Sequence, residues 1–213
     1  MRPIPALLAV LAVAACSDLG PASRATVDVT MSQSDAVAAQ ALSGWAGSVA
    51  DGNDATASIS RDTVAALVVR VTSIQFLPTT ETSEDEAAWV ALDLASPVEL
   101  DLLDLPTEGA SPLVIASGEV EAGEYRKVRL FVDSTAIVFK GPINIGSAFS
   151  FAANATYAVD IPSGAQTGLK TDLAFTAEDG ADVNLLFSTT STFANVTATG
   201  NGKVMLAPVI RGS

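Results

Sequence analysis

Apolar residues along this chain recur mostly at every second position, in short runs closed by Gly, Pro, Asn or Asp. No long helical period interrupts them, so the pattern predicts short strands. Residues 26–31 alternate Val27 and Val29 with polar neighbours and read as a first strand. Residues 63–77 form the longest candidate, in which Leu67, Val69 and Val71 share one parity and Ile74 and Phe76 the other. That switch near Thr72-Ser73 is what a β-bulge produces, because one extra residue turns the following side chains over. Pro78 ends the run, and residues 79–87, TTETSEDEA, read as an acidic turn. Trp89–Leu92 and Val98–Leu103 read as two further strands.

Glu119–Gly123 reads as a turn, and Glu124–Asp133 as a strand with Val128, Leu130 and Val132 inward and Lys127, Arg129 and Asp133 outward. Ala136–Phe139 continues it after a kink. Strands then follow at Thr156–Ile161, Leu169–Ala177, Val183–Phe187 and Lys203–Ile210. Asp179-Gly180 is a hairpin signal, Gly200-Asn201-Gly202 another turn, and Pro208 marks an edge or a bulge. Residues 32–62 are the exception. There Asp35–Leu42 suits a short helix begun by Ser34, and Gly44–Ser60 is a small-residue loop in which Trp45 reads as a plug over one end of the fold rather than an exposed stacking surface. Many short strands closed by turn signals predict an all-β, single-domain antiparallel sandwich, immunoglobulin-like or prealbumin-like, over residues 26–211.

Composition narrows the function. Among 213 residues there are 24 acids against 11 bases, a net charge of −13, and no histidine. An acidic chain is repelled by phosphate backbones, so no nucleic acid partner is expected. Without histidine, the commonest general base and transition-metal ligand are missing. A single cysteine, Cys16, excludes an intrachain disulfide.

Cys16 closes the segment MRPIPALLAVLAVAAC. Ala6–Ala15 is an apolar run of ten residues, too short for a helix across a hydrocarbon core of about 30 Å. It fits the core of an export signal, which ends in small residues. Val13-Ala14-Ala15-Cys16 resembles the lipobox of bacterial lipoproteins. The resemblance implies cleavage after residue 15 and acylation of Cys16 by three chains, enough for stable anchoring in a membrane. Residues 16–25 would then be the lipidated cysteine and a polar tether. Ser17 follows the cysteine and Asp18 comes one place too late for an inner-membrane retention signal, so the outer membrane is the expected location.

Four segments carry a second resemblance: WVALDLASPVELDLLDL (89–105), AGEYRKVRLFVDSTAI (122–137), IPSGAQTGLK (161–170) and GNGKVMLAPVIR (200–211). In this order they resemble the bacterial and archaeal lipoprotein domain of domain-of-unknown-function family 4382, over roughly residues 26–211. The resemblance implies an exported, mostly β domain and no established activity. Two departures stand out. Members usually have a compact acidic segment where this chain has residues 32–62, and often an acidic stretch near the place of Leu185-Leu186-Phe187.

Candidate chemistry is sparse. There is no Gly-x-Ser-x-Gly elbow, no Ser-x-x-Lys pair and no phosphate-cradling loop. Acidic turns that could attract calcium are Asp51, Asn53 and Asp54, the run Glu84-Asp85-Glu86, and Glu178, Asp179 and Asp182, none with EF-hand spacing. Solvated turns are the simpler reading, so neither a metal nor a cofactor is expected. The small polar loop with Ser163, Gly164, Gln166 and Thr167 is a candidate ligand loop. The expectation is a lipid-anchored envelope module, non-catalytic, whose partner beyond the membrane is a polysaccharide or another envelope protein. The alternatives are a carboxylate-dependent glycoside hydrolase and an accessory subunit of an outer-membrane assembly.

Overall fold

The computed structural model describes residues 23–34, 56–92, 94–147, 149–161 and 167–213. Period-two sequences bury one face of a strand, and here two such sheets bury their faces against each other. The first sheet runs β15 (Ile210–Gly212), β12 (Ala181–Ser188), β1 (Arg24–Ser34) and β6 (Leu113–Glu121). The second runs β2 (Thr56–Ser58), β13 (Thr197–Thr199), β14 (Val204–Met205), β10 (Thr156–Asp160), β7 (Gly123–Phe139), β3 (Val64–Pro78) and β4 (Val90–Leu92). In that sheet β11 (Leu169–Ala177) also pairs with β7, and β5 (Val98–Asp101) with β3. A separate hairpin joins β8 (Ile143–Ile145) to β9 (Phe149–Phe151), and one short helix, α1 (Thr189–Phe193), follows β12.

The all-β sandwich matches the sequence pattern. Two pairings depart from the antiparallel expectation: β1 lies parallel to β12, with Val27 opposite Ala181, and β10 lies parallel to β14. Parallel neighbours need a long crossover rather than a tight turn. Alternation along a strand shows which face is buried but not which way its neighbour runs.

The bulge foreseen in β3 is present. Val71 stands opposite Val132 and Ser73 opposite Phe131, leaving Thr72 as the extra residue. Both parities therefore reach the core, and Leu67, Val69, Val71, Ile74 and Phe76 are all buried. The kink in β7 has the same cause. Arg70 faces Ser134 and Val71 faces Val132, so Asp133 is skipped and turns out to pair with Arg70 at 2.6 Å. Facing these strands are Val27, Val29 and Met31 of β1 and Val183, Leu185 and Phe187 of β12. Aromatic groups fill both ends. Phe76, Tyr125 and Phe175 pack with ring centroids 5.1–5.7 Å apart at one end. Phe139, Phe149, Phe151 and Tyr157 pack at 4.8–6.0 Å at the other. Burial raises the Tyr125 phenol above its ordinary value, with Glu121 adding to the shift, and its hydroxyl donates to the Glu121 carbonyl at 2.7 Å.

Several boundaries differ from the sequence reading. β6 was not foreseen, and Glu119–Glu121 belongs to it rather than to a turn. Asp179-Gly180 is a turn, but it carries the chain from the second sheet to the first instead of closing a hairpin. It is pinned to β1: the Thr26 amide donates to Asp179 Oδ1 at 3.1 Å, and the Gly180 amide to the Thr26 carbonyl at 3.0 Å. Gly180 has φ +80°, a conformation that glycine adopts without strain. The strand expected over Lys203–Ile210 splits into β14 and β15, which belong to different sheets. Pro208 lies in the crossover, and the Val209 amide donates to Thr192 Oγ1 of α1 at 2.9 Å. β15 closes that edge against β11. A Cβ built on Gly212 would stand 2.5 Å from Leu173 Cδ1 and 2.6 Å from Leu173 Cβ. Gly212→Ala should therefore cost about 1–3 kcal/mol in urea unfolding, the range for overpacking, whereas a neutral change would mean that β15 stands away from β11.

Candidate functional site

Cys16, Ser163, Gly164 and Gln166 lie outside the described residues, as do Trp45, the proposed Asp35–Leu42 helix and the acidic group Asp51, Asn53 and Asp54. Of the candidate ligand loop, Thr167 is described and exposed. It precedes Gly168, which has φ +72° and whose Cβ position would lie 3.2 Å from the Leu130 carbonyl oxygen and 3.5 Å from Arg129 Cβ. The end of this loop is thus pressed against β7, beside the most elaborate polar cluster of the fold.

That cluster grows from the alternation of β7. Lys127, Arg129 and Phe131 occupy successive positions on the face away from the core. On the neighbouring strands, Gln75 of β3 and Lys170 of β11 stand opposite Arg129. Arg129 takes the outer face as expected, yet it is 2% exposed. The cover is the acidic segment 79–88, which lies over this face as a strap rather than projecting as a turn. Its start is tied down by the Thr79 amide donating to the Glu124 carbonyl at 2.9 Å, and Arg126 reaches the Glu81 carbonyl at 3.1 Å. A single 3-10 turn at Glu86–Ala88 then delivers Trp89 to the edge of the sheet. Beneath the strap, Leu77 is fully buried, and Trp89 is 8% exposed.

Arg129 is held on every side. Its Nε donates to Gln75 Oε1 and its Nη2 to Glu86 Oε1, both at 2.7 Å. Its guanidinium lies 4.3 Å from the Trp89 ring centroid and 4.8 Å from that of Phe131, so the cation is sandwiched between aromatic faces. The Trp89 indole N–H donates to the Glu84 carbonyl at 3.3 Å. Glu84 bridges two ammonium groups, Lys127 at 2.9 Å and Lys170 at 3.0 Å, and Lys127 also meets Asp172 at 2.9 Å. Hydrogen bonds from Lys127 and then Lys170 lower the Glu84 carboxyl from 4.5 to about 2, while Glu84 and then Asp172 raise Lys127. A depressed carboxylate adds stability above its unfolded value and loses that contribution as it is protonated. The strap should therefore loosen as pH falls from 4.5 toward about 2. The Trp89 indole resonance followed by NMR would show this, and Glu84→Gln should remove the transition.

These contacts change the view of the acidic turns. Glu84 and Glu86 are occupied by side-chain cations, and Asp179 by the Thr26 amide. Among the described residues, no group of three or more acidic or cysteine side chains is placed to hold a metal ion. A second polar group closes the far end of the first sheet. There Ser34 Oγ donates to Glu108 Oε2 at 2.6 Å and accepts from Arg211 Nη2 at 3.0 Å, while Gln33 Nε2 donates to the Leu105 carbonyl at 2.6 Å. Ser34 is 3% exposed, so this hydroxyl is a cross-link in the fold, not a nucleophile open to substrate. Leu185, Leu186 and Phe187 are buried on both faces of β12, which accounts for apolar residues there.

A family model described as a domain of unknown function, DUF4382, matches residues 53–208. No curated protein and no solved structure matches the chain.

Proposed function

From the premise that the chain belongs to the DUF4382 family, we propose that it is a lipid-anchored, non-catalytic binding or structural module of the bacterial cell envelope. The observation that carries this reading is the unique cysteine at the close of an apolar leader, in Val13-Ala14-Ala15-Cys16. The distance to the fold supports it. The described residues begin at Ser23, whose carbonyl already accepts from the Ala122 amide at 2.7 Å. An extended chain spans at most about 3.5 Å per residue, so the tether would hold the start of β1 within a few nanometres of the bilayer. A body with no histidine, whose Arg129 cluster is closed by its own carboxylates, suits binding or scaffolding better than acid–base catalysis. In cells fed a labelled fatty acid, the native chain should incorporate label and Cys16→Ser should incorporate none. Label retained by Cys16→Ser would overturn the anchoring.

A further inference from the structure

Arg129 and its carboxylate partner differ in an informative way. The Arg129 side chain is 2% exposed, whereas that of Glu86 is 72% exposed. What positions the cation belongs to the sheet: Gln75 on β3, Phe131 on β7 and Trp89 directly before β4. The carboxylates on Arg129 and Lys170, and one of the two on Lys127, belong to the strap. The cations, Gln75 and Phe131 are therefore set on the sheet, whereas Trp89 is shared with the strap through its bond to the Glu84 carbonyl. These ion pairs hold the strap on the face, and the same cations would accept other carboxylates placed alike. Four of the chain's eleven basic side chains, Arg126, Lys127, Arg129 and Lys170, gather here on a molecule of net charge −13.

We propose that this face is a docking groove for an acidic peptide segment of a partner protein, and that the strap is a built-in competitor that occupies it. The proposal rests on the binding-module reading and names its partner class. The strap itself shows the recognition chemistry. The acidic segment, folded through a turn and a 3-10 turn, places two carboxylates on the cations, while its Glu81 and Glu84 carbonyls accept from Arg126 and from the Trp89 indole. Peptide is favoured over an acidic sugar because Trp89 is 8% exposed, with its ring already covered by Arg129 and Lys170, and offers no free face on which a sugar could stack. Long-range repulsion from the acidic body is screened beyond about 8 Å at physiological salt, so the local cations decide the contact.

The test uses the full chain in a non-ionic detergent with Trp45→Phe, which leaves Trp89 as the sole indole. The probe is a synthetic peptide of residues 79–88, TTETSEDEAA. Glu84→Gln with Glu86→Gln should release the strap, and Trp89 emission should then respond saturably to the peptide. The chain with its strap intact should bind at least about tenfold more weakly, a difference of about 1.4 kcal/mol. Binding should be lost when the peptide carries Gln at the positions of Glu84 and Glu86, or when Arg129→Met is added to the chain. Equal affinity with the strap intact or released would overturn the proposal. So would no response from a released chain that keeps the native circular dichroism, or an equal response to polygalacturonate. If the double variant does not fold, Glu86→Gln alone, which alters one exposed carboxylate, serves for the same comparison. The titration does not depend on whether Cys16 is acylated, so its failure leaves the anchoring result untouched.

Discussion

Phe187→Ala is expected to lower the free energy of unfolding by about 3–5 kcal/mol, the usual cost of emptying a fully buried aromatic site. Phe187 is 0% exposed and sits on β12, between Gln33 of β1 and Ile210 of β15. Its ring is part of the core shared by the two sheets. The surroundings have little freedom to collapse into the space, because β12 is held by a parallel neighbour on one side and an antiparallel one on the other. Urea unfolding followed by circular dichroism would measure the loss. Phe187→Leu, which keeps most of the volume, should cost less than half as much. A loss below about 1 kcal/mol for the alanine variant would mean that the two sheets do not share this core.

The second large effect concerns charge. Arg129→Glu should destabilise the fold by about 3–5 kcal/mol or prevent folding, since it would bury a carboxylate beside Glu86 while the neighbouring Lys127 and Lys170 are already engaged by Glu84 and Asp172. Arg129→Met, of similar length and apolar, should stay within about 1.5 kcal/mol, because it keeps the packing between Trp89 and Phe131 and leaves unpaired only an exposed carboxylate and the half-buried Gln75 amide oxygen. Parallel denaturant curves for the two variants would separate these cases. Equal losses would show that packing volume, rather than charge, governs the site.

The contrast between Val128 and Arg129 shows how far the sequence can be read. Alternation assigned both side chains to the correct faces of β7, and the parity switch in β3 located the bulge at Thr72. Exposure is a different matter. What covers Arg129 is Glu86 and Trp89, and Glu86 is 43 residues away in the chain. A strand pattern carries no record of a distant segment folding back over its polar face. The acidic strap was visible as composition but not as a partner for the bases of β7 and β11. β6 was overlooked although its signal was present: Leu113-Val114-Ile115 follows Ser111-Pro112, and polar and small residues then dilute the alternation up to Val120. α1 had less to offer, because Thr189–Phe193 lacks an apolar helical spacing. Its start is marked by Ser188, whose hydroxyl accepts from the Ser191 amide at 3.4 Å. In the last segment the proline was the useful mark, since a residue without an amide hydrogen fits the crossover between β14 and β15 better than the interior of a strand.

The proposed membrane anchoring depends on Cys16, and the mass of the N-terminal proteolytic peptide from cells tests it most directly. The account predicts a peptide that begins at Cys16 and carries a diacylglycerol on sulfur and a third acyl chain on its amine. A peptide that begins at Met1 and contains an unmodified thiol would contradict it.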